Sequence, residues 1–385
     1  MKFIHCQHDY STAQTIAFRL IAFCAFATAM MLVVYASTVS ARADDRRDEK
    51  KKEAFKVTKL TQGMGLYSIG AVSPDGKSIL LLGQKPDATP NLYVMDLTNH
   101  SIRPPLTAFK WGVTDAAWSP DGQSIAFAAL NETASFPEIF ILDLKAGKQR
   151  QLTKNSFSDK EPVFTPDGKR LLYTSDESPL PDAAFGILHV AAIPVGGGKA
   201  EFFTEDEVST IHPGIAIDGK SALLVKVDDA SGRHSLWQYS FDGKPQRDLT
   251  GRKFARIHRY ILNPSQQTMV LWAQEEPEQQ DGLYILDLKT GDARELPEPD
   301  LPKRNPTLSP DGKLIAFVAP TPTGAQLFLY DSTSGQIQQL TYKGARNYSP
   351  AFVSNKEILF GSDRDNSNEI YLLDLAPQPA EEKKK

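Results

Sequence analysis

Charged side chains recur along this chain at one position relative to the predicted strands: each lies immediately before one of a series of short strands. Acids occupy that place in the earlier part of the chain, and basic side chains occupy it in the later part. If the fold gathers these places around one opening, opposite charges line opposite walls, and the opening suits a zwitterionic peptide or a partner loop. The alternative is that these side chains are polar because water fills the opening. The candidates are Asp115, Asp159, Glu161, His212, His258, Arg259, Arg304, Asn305 and Arg346.

A repeated turn organises the elements that must position these residues. In Ser309-Pro310-Asp311-Gly312-Lys313 the proline fixes one φ angle, the aspartate can bond its own backbone, and the glycine accepts a positive φ. Near-copies start at Ser73, Ser119 and Thr165, and weaker copies start at Ile217, Asn263 and Val353. Equivalent turn residues are separated by 46, 46, 51, 47, 46 and 44 positions. A period of about 45 residues is typical of propellers and solenoids.

Each repeat predicts four β-strands, which is the content of one propeller blade. The fourth strand ends in a Leu-Thr pair, as at Leu106-Thr107 and Leu340-Thr341. The last repeat contains three strands, whereas residues 55–61 precede the first turn and carry their own Leu-Thr ending. We therefore predict an all-β, seven-bladed β-propeller over residues 54–375, in which the N-terminal strand completes the last blade. Six blades is the alternative, if a degenerate repeat forms no blade.

Residues 1–43 have the parts of a secretory signal peptide in their usual order. A polar start with positive charge precedes an apolar run over residues 20–36, and Ala41-Arg42-Ala43 offers small residues for cleavage near Ala43. Cleavage predicts a periplasmic or secreted protein. The alternative is that the leader is not cleaved and anchors the protein in the membrane. We predict no membrane contact other than this one. Both cysteines lie in this leader, so the mature chain forms no disulfide.

Charged segments flank the predicted propeller on both sides. Residues 44–53 are nearly all charged and predict a solvated linker, and residues 376–385 predict a disordered charged tail. The formal net charge is −4, and no basic run lies in the folded part. A mildly acidic protein of this kind is a poor nucleic-acid binder, so we exclude that class of partner.

The repeats resemble the WD40-like PD40 repeats of TolB-type β-propellers. The resemblance is carried by the Ser-Pro-Asp-Gly turns at Ser73, Ser119 and Ser309. It is also carried by residues 361–371, Gly-Ser-Asp-Arg-Asp-Asn-Ser-Asn-Glu-Ile-Tyr, which are similar to the family's Ser-Asp-Arg-Asp-Gly-Asn-x-Glu-Ile-Tyr pattern. The resemblance implies a rigid ring with variable loops in the bacterial cell envelope, a design suited to binding.

The sequence lacks the Gly-x-Ser-x-Gly motif of α/β-hydrolase nucleophiles. We therefore predict a non-enzymatic, monomeric scaffold that binds a protein or peptide partner, without a cofactor or a metal. Some propeller lyases hold a metal with histidines gathered from several blades. The alternative prediction is therefore a metal-dependent lyase or hydrolase that acts on carbohydrate through His212 and His258 at the channel mouth. The competing interpretation is that His212 and His258 are solvated or hydrogen-bonded histidines that bind no metal.

Overall fold

The computed structural model describes residues 55–63, 65–84, 89–130, 136–178, 187–204, 208–228, 230–263, 267–297 and 301–376. These residues form 27 β-strands, and none of them belongs to a helix that could cross a membrane. The predicted signal peptide, the charged linker and residues 377–385 of the predicted tail lie outside the described residues.

The strands form seven antiparallel sheets, one for each repeat, and the prediction of a seven-bladed β-propeller is confirmed. Blades 1 to 3 contain β2 Gly65–Val72, β3 Ser78–Gln84 and β4 Asn91–Asp96; β5 Val113–Trp118, β6 Ser124–Ala129, β7 Glu138–Asp143 and β8 Lys148–Gln151; and β9 Asp159–Phe164, β10 Arg170–Ser175, β11 His189–Pro194 and β12 Glu201–Phe202. Blades 4 and 5 contain β13 Ser209–Ile215, β14 Ser221–Val227, β15 His234–Ser240 and β16 Pro245–Asp248; and β17 Arg256–Asn263, β18 Thr268–Gln274, β19 Gly282–Asp287 and β20 Ala293–Glu295. Blades 6 and 7 contain β21 Arg304–Leu308, β22 Leu314–Thr321, β23 Gly324–Asp331 and β24 Ile337–Gln339; and β25 Asn347–Ser354, β26 Glu357–Ser362, β27 Glu369–Asp374 and β1 Lys56–Lys59.

The N-terminal strand closes the ring. Strand β1 pairs antiparallel with β27, and Lys56 lies opposite Asp374 while Lys59 lies opposite Tyr371. Strand β1 is therefore the outer strand of blade 7, as predicted, and it covers an edge that would otherwise be free to pair with another chain. The two ends of the propeller are held together by this sheet.

Blade 1 departs from the prediction of seven fourth strands. Its sheet has three strands, and the segment expected to form the fourth makes one isolated bridge, between Met95 and Ile102. Pro104 and Pro105 follow this bridge, and proline has no N–H to donate to a β-ladder. The Leu-Thr ending still docks, because the Leu106 N–H donates to the Leu92 carbonyl at 2.8 Å.

The repeated turns are built from the same contacts in each well-preserved copy. In the first, the Ser73 hydroxyl donates to the Asp75 carboxylate at 2.6 Å, and the Lys77 N–H donates to the same oxygen at 3.0 Å. Gly76 has a φ of 72°, a left-handed conformation that side chains with a Cβ rarely adopt. The Asp-Gly pair thus fixes the connection from first to second strand.

The core is divided among the boundaries between blades. Seven buried apolar clusters fill them, one between each pair of neighbours, including the pair of blades 7 and 1. Between blades 1 and 2, for example, Leu80 and Leu92 of blade 1 belong to one cluster with the stacked rings of Phe127 and Phe140 of blade 2. Because each blade packs on its neighbours, the ring needs no central core, and side chains of the first strands are left to line the channel.

Candidate functional site

The first strand of every blade contains a β-bulge near its start. We call the seven equivalent residues at this point the ring positions. Five of them have a positive φ between 47° and 56°, which is uncommon for residues with a side chain. A bulge re-aims side chains, and in these five blades the ring position lies at the bulge, at one end of the channel, which we call the mouth. In blades 1 and 5 the ring position keeps a regular pairing, Ile69 with Leu81 and Arg259 with Trp272. The ring positions are Ile69, Asp115, Glu161, His212, Arg259, Asn305 and Ser349.

Proline follows the ring position in four blades, as in Glu161-Pro162 and His212-Pro213. Proline cannot donate to a ladder, so it tolerates the interrupted pairing at a bulge better than it tolerates a regular strand interior. This proline is the sequence signal that identifies the ring position in these four blades. The sequence alone does not predict the bulge itself.

Short contacts link the ring positions of blades 2, 3 and 4. Asp115 lies close enough to Glu161 for the charge of Glu161 to raise the pKa of Asp115. The Glu161 carboxylate in turn lies 2.7 Å from the His212 imidazole Nδ1 and accepts the His212 N–H at 3.2 Å. The Thr174 hydroxyl donates to the same carboxylate at 2.9 Å. Glu161 and His212 therefore fix each other's position, and this part of the wall is preorganised.

Blade 5 continues this chain of contacts through a partly buried tyrosine. The Tyr260 hydroxyl lies 2.7 Å from the His212 carbonyl oxygen and 3.0 Å from that of Leu223, so one proton is shared between two acceptors. A Cβ at Gly214 would meet this hydroxyl, since the two atoms would be 2.4 Å apart. Burial and the charge of Glu161 raise the pKa of Tyr260. The tyrosine is therefore a neutral hydrogen-bond donor that holds the His212 backbone in place.

The two acids of this wall, Glu161 and Asp115, differ in whether a basic side chain is paired with them. Burial opposes ionisation of Glu161, but its hydrogen bond with His212 and the charge of His212 outweigh burial, and the pKa of Glu161 is lowered. Asp115 is exposed to the channel and forms no ion pair with a described residue. Desolvation by the surrounding protein, and then the charge of Glu161, raise the pKa of Asp115, while the charge of Lys160 acts in the opposite direction by less. Asp115 is thus the acid of this wall that has no ion-pair partner among the described residues.

The opposite wall, in blades 5 to 7, contains three arginines. Arg304 Nε lies 3.1 Å from an Asp281 oxygen, and the other Asp281 oxygen lies 3.0 Å from His258 Nε2. Arg346 Nε lies 2.8 Å from Asp363. Arg259 is exposed and forms no ion pair with a described residue. Arg259 is thus the cation of this wall whose charge is not compensated.

Two acids that the sequence analysis missed balance the basic wall. Asp281 precedes β19 and lies between His258 and Arg304, and Asp363 follows β26 beside Arg346. Partial burial opposes ionisation of Asp281, but the hydrogen bond with His258 and the charges of His258 and Arg304 lower its pKa. Neither acid lies in a first strand, so an alignment of first strands could not reveal them.

Asp159 does not line the mouth. Its side chain is completely buried, accepts the Ser175 hydroxyl at 2.6 Å and the Asn155 amide at 3.0 Å, and lies near the buried Glu138. Burial, which is the largest influence, raises the pKa of Asp159 to about 6. The bulge explains the difference: residues two apart share one face of a regular strand, but Glu161 lies in the bulge with a φ of 56°, so its side chain leaves the face that Asp159 occupies.

The remaining predicted residues lie where the alignment of the repeats puts them. Asn305 is half-buried at the ring position of blade 6, with a φ of 50°. His212 and His258 are held by different carboxylates, Glu161 and Asp281. Within the described part of the chain, no group of three or more histidine, cysteine, aspartate or glutamate side chains is placed to hold a metal ion.

Solved structures with a similar fold include two enzymes. An oligogalacturonate lyase from Vibrio parahaemolyticus superposes with a TM-score of 0.63 at 16% identity, over 83% of this chain and 93% of the lyase. A puromycin hydrolase superposes with a TM-score of 0.64 at 17% identity, over 80% of this chain and 52% of the hydrolase. At these identities the similarity shows the fold.

Sequence comparison identifies relatives with named activities. Dipeptidyl-peptidase 5 of Porphyromonas gingivalis is 27% identical over 191 residues, which are 48% of this chain and 27% of the peptidase. This chain spans 22% to 48% of the length of three curated relatives that it matches. The prediction that the protein is not an enzyme is contradicted, because the proteins it resembles in sequence and in fold include peptidases and a lyase.

A protein-family comparison covers most of the chain. The model of the TolB beta propeller domain, PD40, matches residues 25–281. This match agrees with the seven Pro-Asp-Gly-type repeats, the four-stranded blades and the ring closed by β1. The chain therefore belongs to the TolB beta propeller domain family.

Proposed function

We propose that the mouth of this propeller recognises unblocked peptides and that the protein takes part in peptide hydrolysis. In this proposal Asp115 faces the ammonium group of the peptide and Arg259 faces its carboxylate. Glu161, held by His212 and Thr174, adds negative potential beside Asp115. Recognition of both charged termini would favour short peptides over internal segments of long chains.

One observation carries the proposal. Asp115 and Arg259 are exposed ring positions of opposite sign, and neither has an ion-pair partner among the described residues. They belong to blades 2 and 5, which lie on opposite sides of a ring of seven. The neighbouring charges Glu161, Arg304 and Arg346 each have a partner. A ligand with one charge at each end complements the pair that remains.

The relatives support a peptide as the ligand. The sequence match includes a dipeptidyl-peptidase, and the fold is similar to that of acylaminoacyl peptidase. We further propose export to the periplasm, where short peptides are present, because the leader has the parts of a signal peptide. A protein partner in the envelope that presents a free terminus would use the same contacts.

Isothermal titration calorimetry with Gly-Gly-Gly tests recognition directly. We expect binding by the wild type and a loss of about tenfold or more for peptides acetylated at the amino end or amidated at the carboxyl end. The variants Asp115→Asn and Arg259→Gln should weaken binding similarly. Asp292→Asn, an exposed acid on the opposite face of the ring, is the matched control and should bind like the wild type. Equal binding of blocked and unblocked peptides would contradict the proposal.

Hydrolysis needs a separate assay. Unblocked peptides of three to six residues, incubated with the full chain, should yield shorter products in mass spectrometry, and the Asp115→Asn variant should form them more slowly. If peptides bind but remain intact, recognition stands and the proposed part in hydrolysis fails.

A further inference from the structure

Two exposed aromatic side chains belong to the loops that lead into the acidic first strands of blades 2 and 3. Among the described residues three large apolar side chains are exposed, and two of them are Trp111 and Phe157, with exposed fractions of 57% and 36%. Each precedes a ring acid by four residues, Asp115 in one case and Glu161 in the other. The two aromatics therefore occupy equivalent positions in neighbouring blades, at the rim of the mouth.

The loops that carry these aromatics are held rigidly by the preceding blade. The Phe109 N–H donates to the Asn91 side chain at 2.9 Å, and the Asn155 N–H donates to the Glu138 carboxylate, also at 2.9 Å. The Phe157 N–H then donates to the Asn155 side-chain oxygen at 2.8 Å. An aromatic group on a fixed loop loses little conformational entropy when a ligand packs against it.

The indole of Trp111 already accepts a cation. The Lys110 ammonium lies 4.9 Å from the centroid of the Trp111 ring, within the range of a cation–π contact. The surroundings of these rings thus combine aromatic surface with the carboxylate of Asp115, which has no ion-pair partner among the described residues. The ligand group that suits both features has an ammonium group next to an apolar side chain.

We propose that Trp111 and Phe157 form a subsite for the apolar or aromatic side chain of the residue that carries the free amino group of the peptide. This inference rests on the proposed function and specifies its substrate class. Asp115 holds the ammonium group, and the adjacent side chain packs on the two aromatic rings. The first residue of the peptide is therefore selected by side chain as well as by charge.

The test compares Phe-Gly-Gly with Gly-Gly-Gly by calorimetry on the full chain. The wild type should bind Phe-Gly-Gly about tenfold more tightly, and Trp111→Ala or Phe157→Ala should reduce this ratio to about one. Phe157→Leu should keep part of the preference, because leucine retains apolar surface. Ile217→Ala is the matched control: Ile217 is the third exposed apolar side chain, in a turn on the opposite face, and its variant should keep the full ratio.

The outcomes separate this inference from the proposed function. Equal affinity of the wild type for the two peptides would overturn the subsite while leaving terminal recognition intact. No binding of either peptide would overturn both. Exposed aromatic side chains can also form a contact between copies of the chain, and analytical ultracentrifugation tests this alternative. Self-association that depends on concentration and is abolished by Trp111→Ala would identify such a contact and overturn the subsite.

Discussion

The imidazole of His212 lies 2.7 Å from the carboxylate of Glu161, although the two residues are 51 positions apart and belong to neighbouring blades. The His212 N–H donates to the same carboxylate at 3.2 Å, so both the side chain and the backbone of His212 are bound to it. This contact joins the first strands of blades 3 and 4 at the mouth. It gives His212 a structural role in the wall that we propose to bind the ammonium end of a peptide.

Replacing Glu161 by glutamine should destabilise the fold in a pH-dependent way. The pKa of Glu161 is lowered in the folded state, so its stabilising contribution is present above the ordinary pKa of glutamate and is lost as the pH falls through the lowered value. We expect Glu161→Gln to lower the free energy of unfolding by about 1 kcal/mol near neutral pH, since both partners are about one-third exposed. Urea denaturation over a pH series measures this difference.

The difference between wild type and Glu161→Gln should shrink as the pH falls. Glu278→Gln, an exposed acid without an ion-pair partner among the described residues, should match the wild type throughout. A difference that stays constant with pH would mean that the glutamate carboxylate does not act through its charge.

The buried Asp159 should have the opposite pH dependence. Its pKa is raised to about 6 by burial, so the folded state favours the protonated acid, and stability falls as the pH rises from the ordinary aspartate range through about 6. The wild type should therefore lose about 2 kcal/mol relative to Asp159→Asn over this interval. Denaturation of both proteins between about pH 4 and pH 8 measures the relative change.

Asp292→Asn serves as the control for Asp159, because Asp292 is exposed. Its stability relative to the wild type should not vary over the same pH interval. If the wild type and Asp159→Asn keep parallel pH profiles, the pKa of Asp159 is the same in the folded and unfolded protein, and its hydrogen bonds balance its burial.

The contact between Gly214 and Tyr260 predicts a strong coupling between two substitutions. Gly214→Ala places a Cβ 2.4 Å from the tyrosine hydroxyl and should destabilise the protein by about 3 kcal/mol. Tyr260→Phe removes the hydroxyl from two backbone carbonyls and should cost about 1–2 kcal/mol. The double variant should be more stable than the sum predicts, because phenylalanine has no hydroxyl to meet the new Cβ. Thermal denaturation of the four proteins gives the coupling.

Gly196→Ala provides the glycine control for that cycle. A Cβ at Gly196 would meet no atom within 4 Å, so this variant should retain wild-type stability. Strict additivity of Gly214→Ala and Tyr260→Phe would show that the glycine is not required by the tyrosine.

Closure of the ring depends on Thr61, which follows β1. Its hydroxyl donates to Glu369 at 2.6 Å and accepts the Ile370 N–H at 2.9 Å, and Glu369 is almost fully buried. Thr61→Val should leave both groups without this partner and lower the free energy of unfolding by about 2 kcal/mol. Thr58→Val, on the exposed side of β1, is the matched control. Equal stability of the two variants would contradict a role for this threonine in closing the ring.

The blade count and the closing strand could be predicted because both follow from local chemistry. The Pro-Asp-Gly turn needs its residue types for backbone reasons, and a Leu-Thr ending follows the fourth strand of blades 2, 4, 6 and 7. The structure adds the reason for the threonine: in blade 2 the Thr153 hydroxyl donates to the buried Glu138 and accepts the Ile139 N–H. Blade 1 shows the limit of the pattern, because Pro104 and Pro105 prevent a strand that the ending predicts.

The mouth was predicted less completely than the fold. Counting from the repeated turn identifies the ring positions, because the same bulge recurs in the same place. It does not show that Asp159 is buried, since the bulge changes which side chains face the channel. Nor does it show that Asp281 joins His258 and Arg304, because these three residues meet across two blades. Which charged side chains of the mouth have no ion-pair partner depends on such contacts between distant parts of the sequence.

A cycle that combines protein variants with blocked peptides tests recognition of both termini most directly. Calorimetry would compare wild type, Asp115→Asn and Arg259→Gln with Gly-Gly-Gly, its N-acetyl form and its C-amide. If Asp115 faces the ammonium group, acetylation and Asp115→Asn weaken binding by the same interaction, so their combined effect equals about that of one change alone. Amidation and Arg259→Gln should show the same redundancy, while the crossed combinations should add. Additive losses within both matched pairs would show that these two side chains do not bind the termini and would contradict the account.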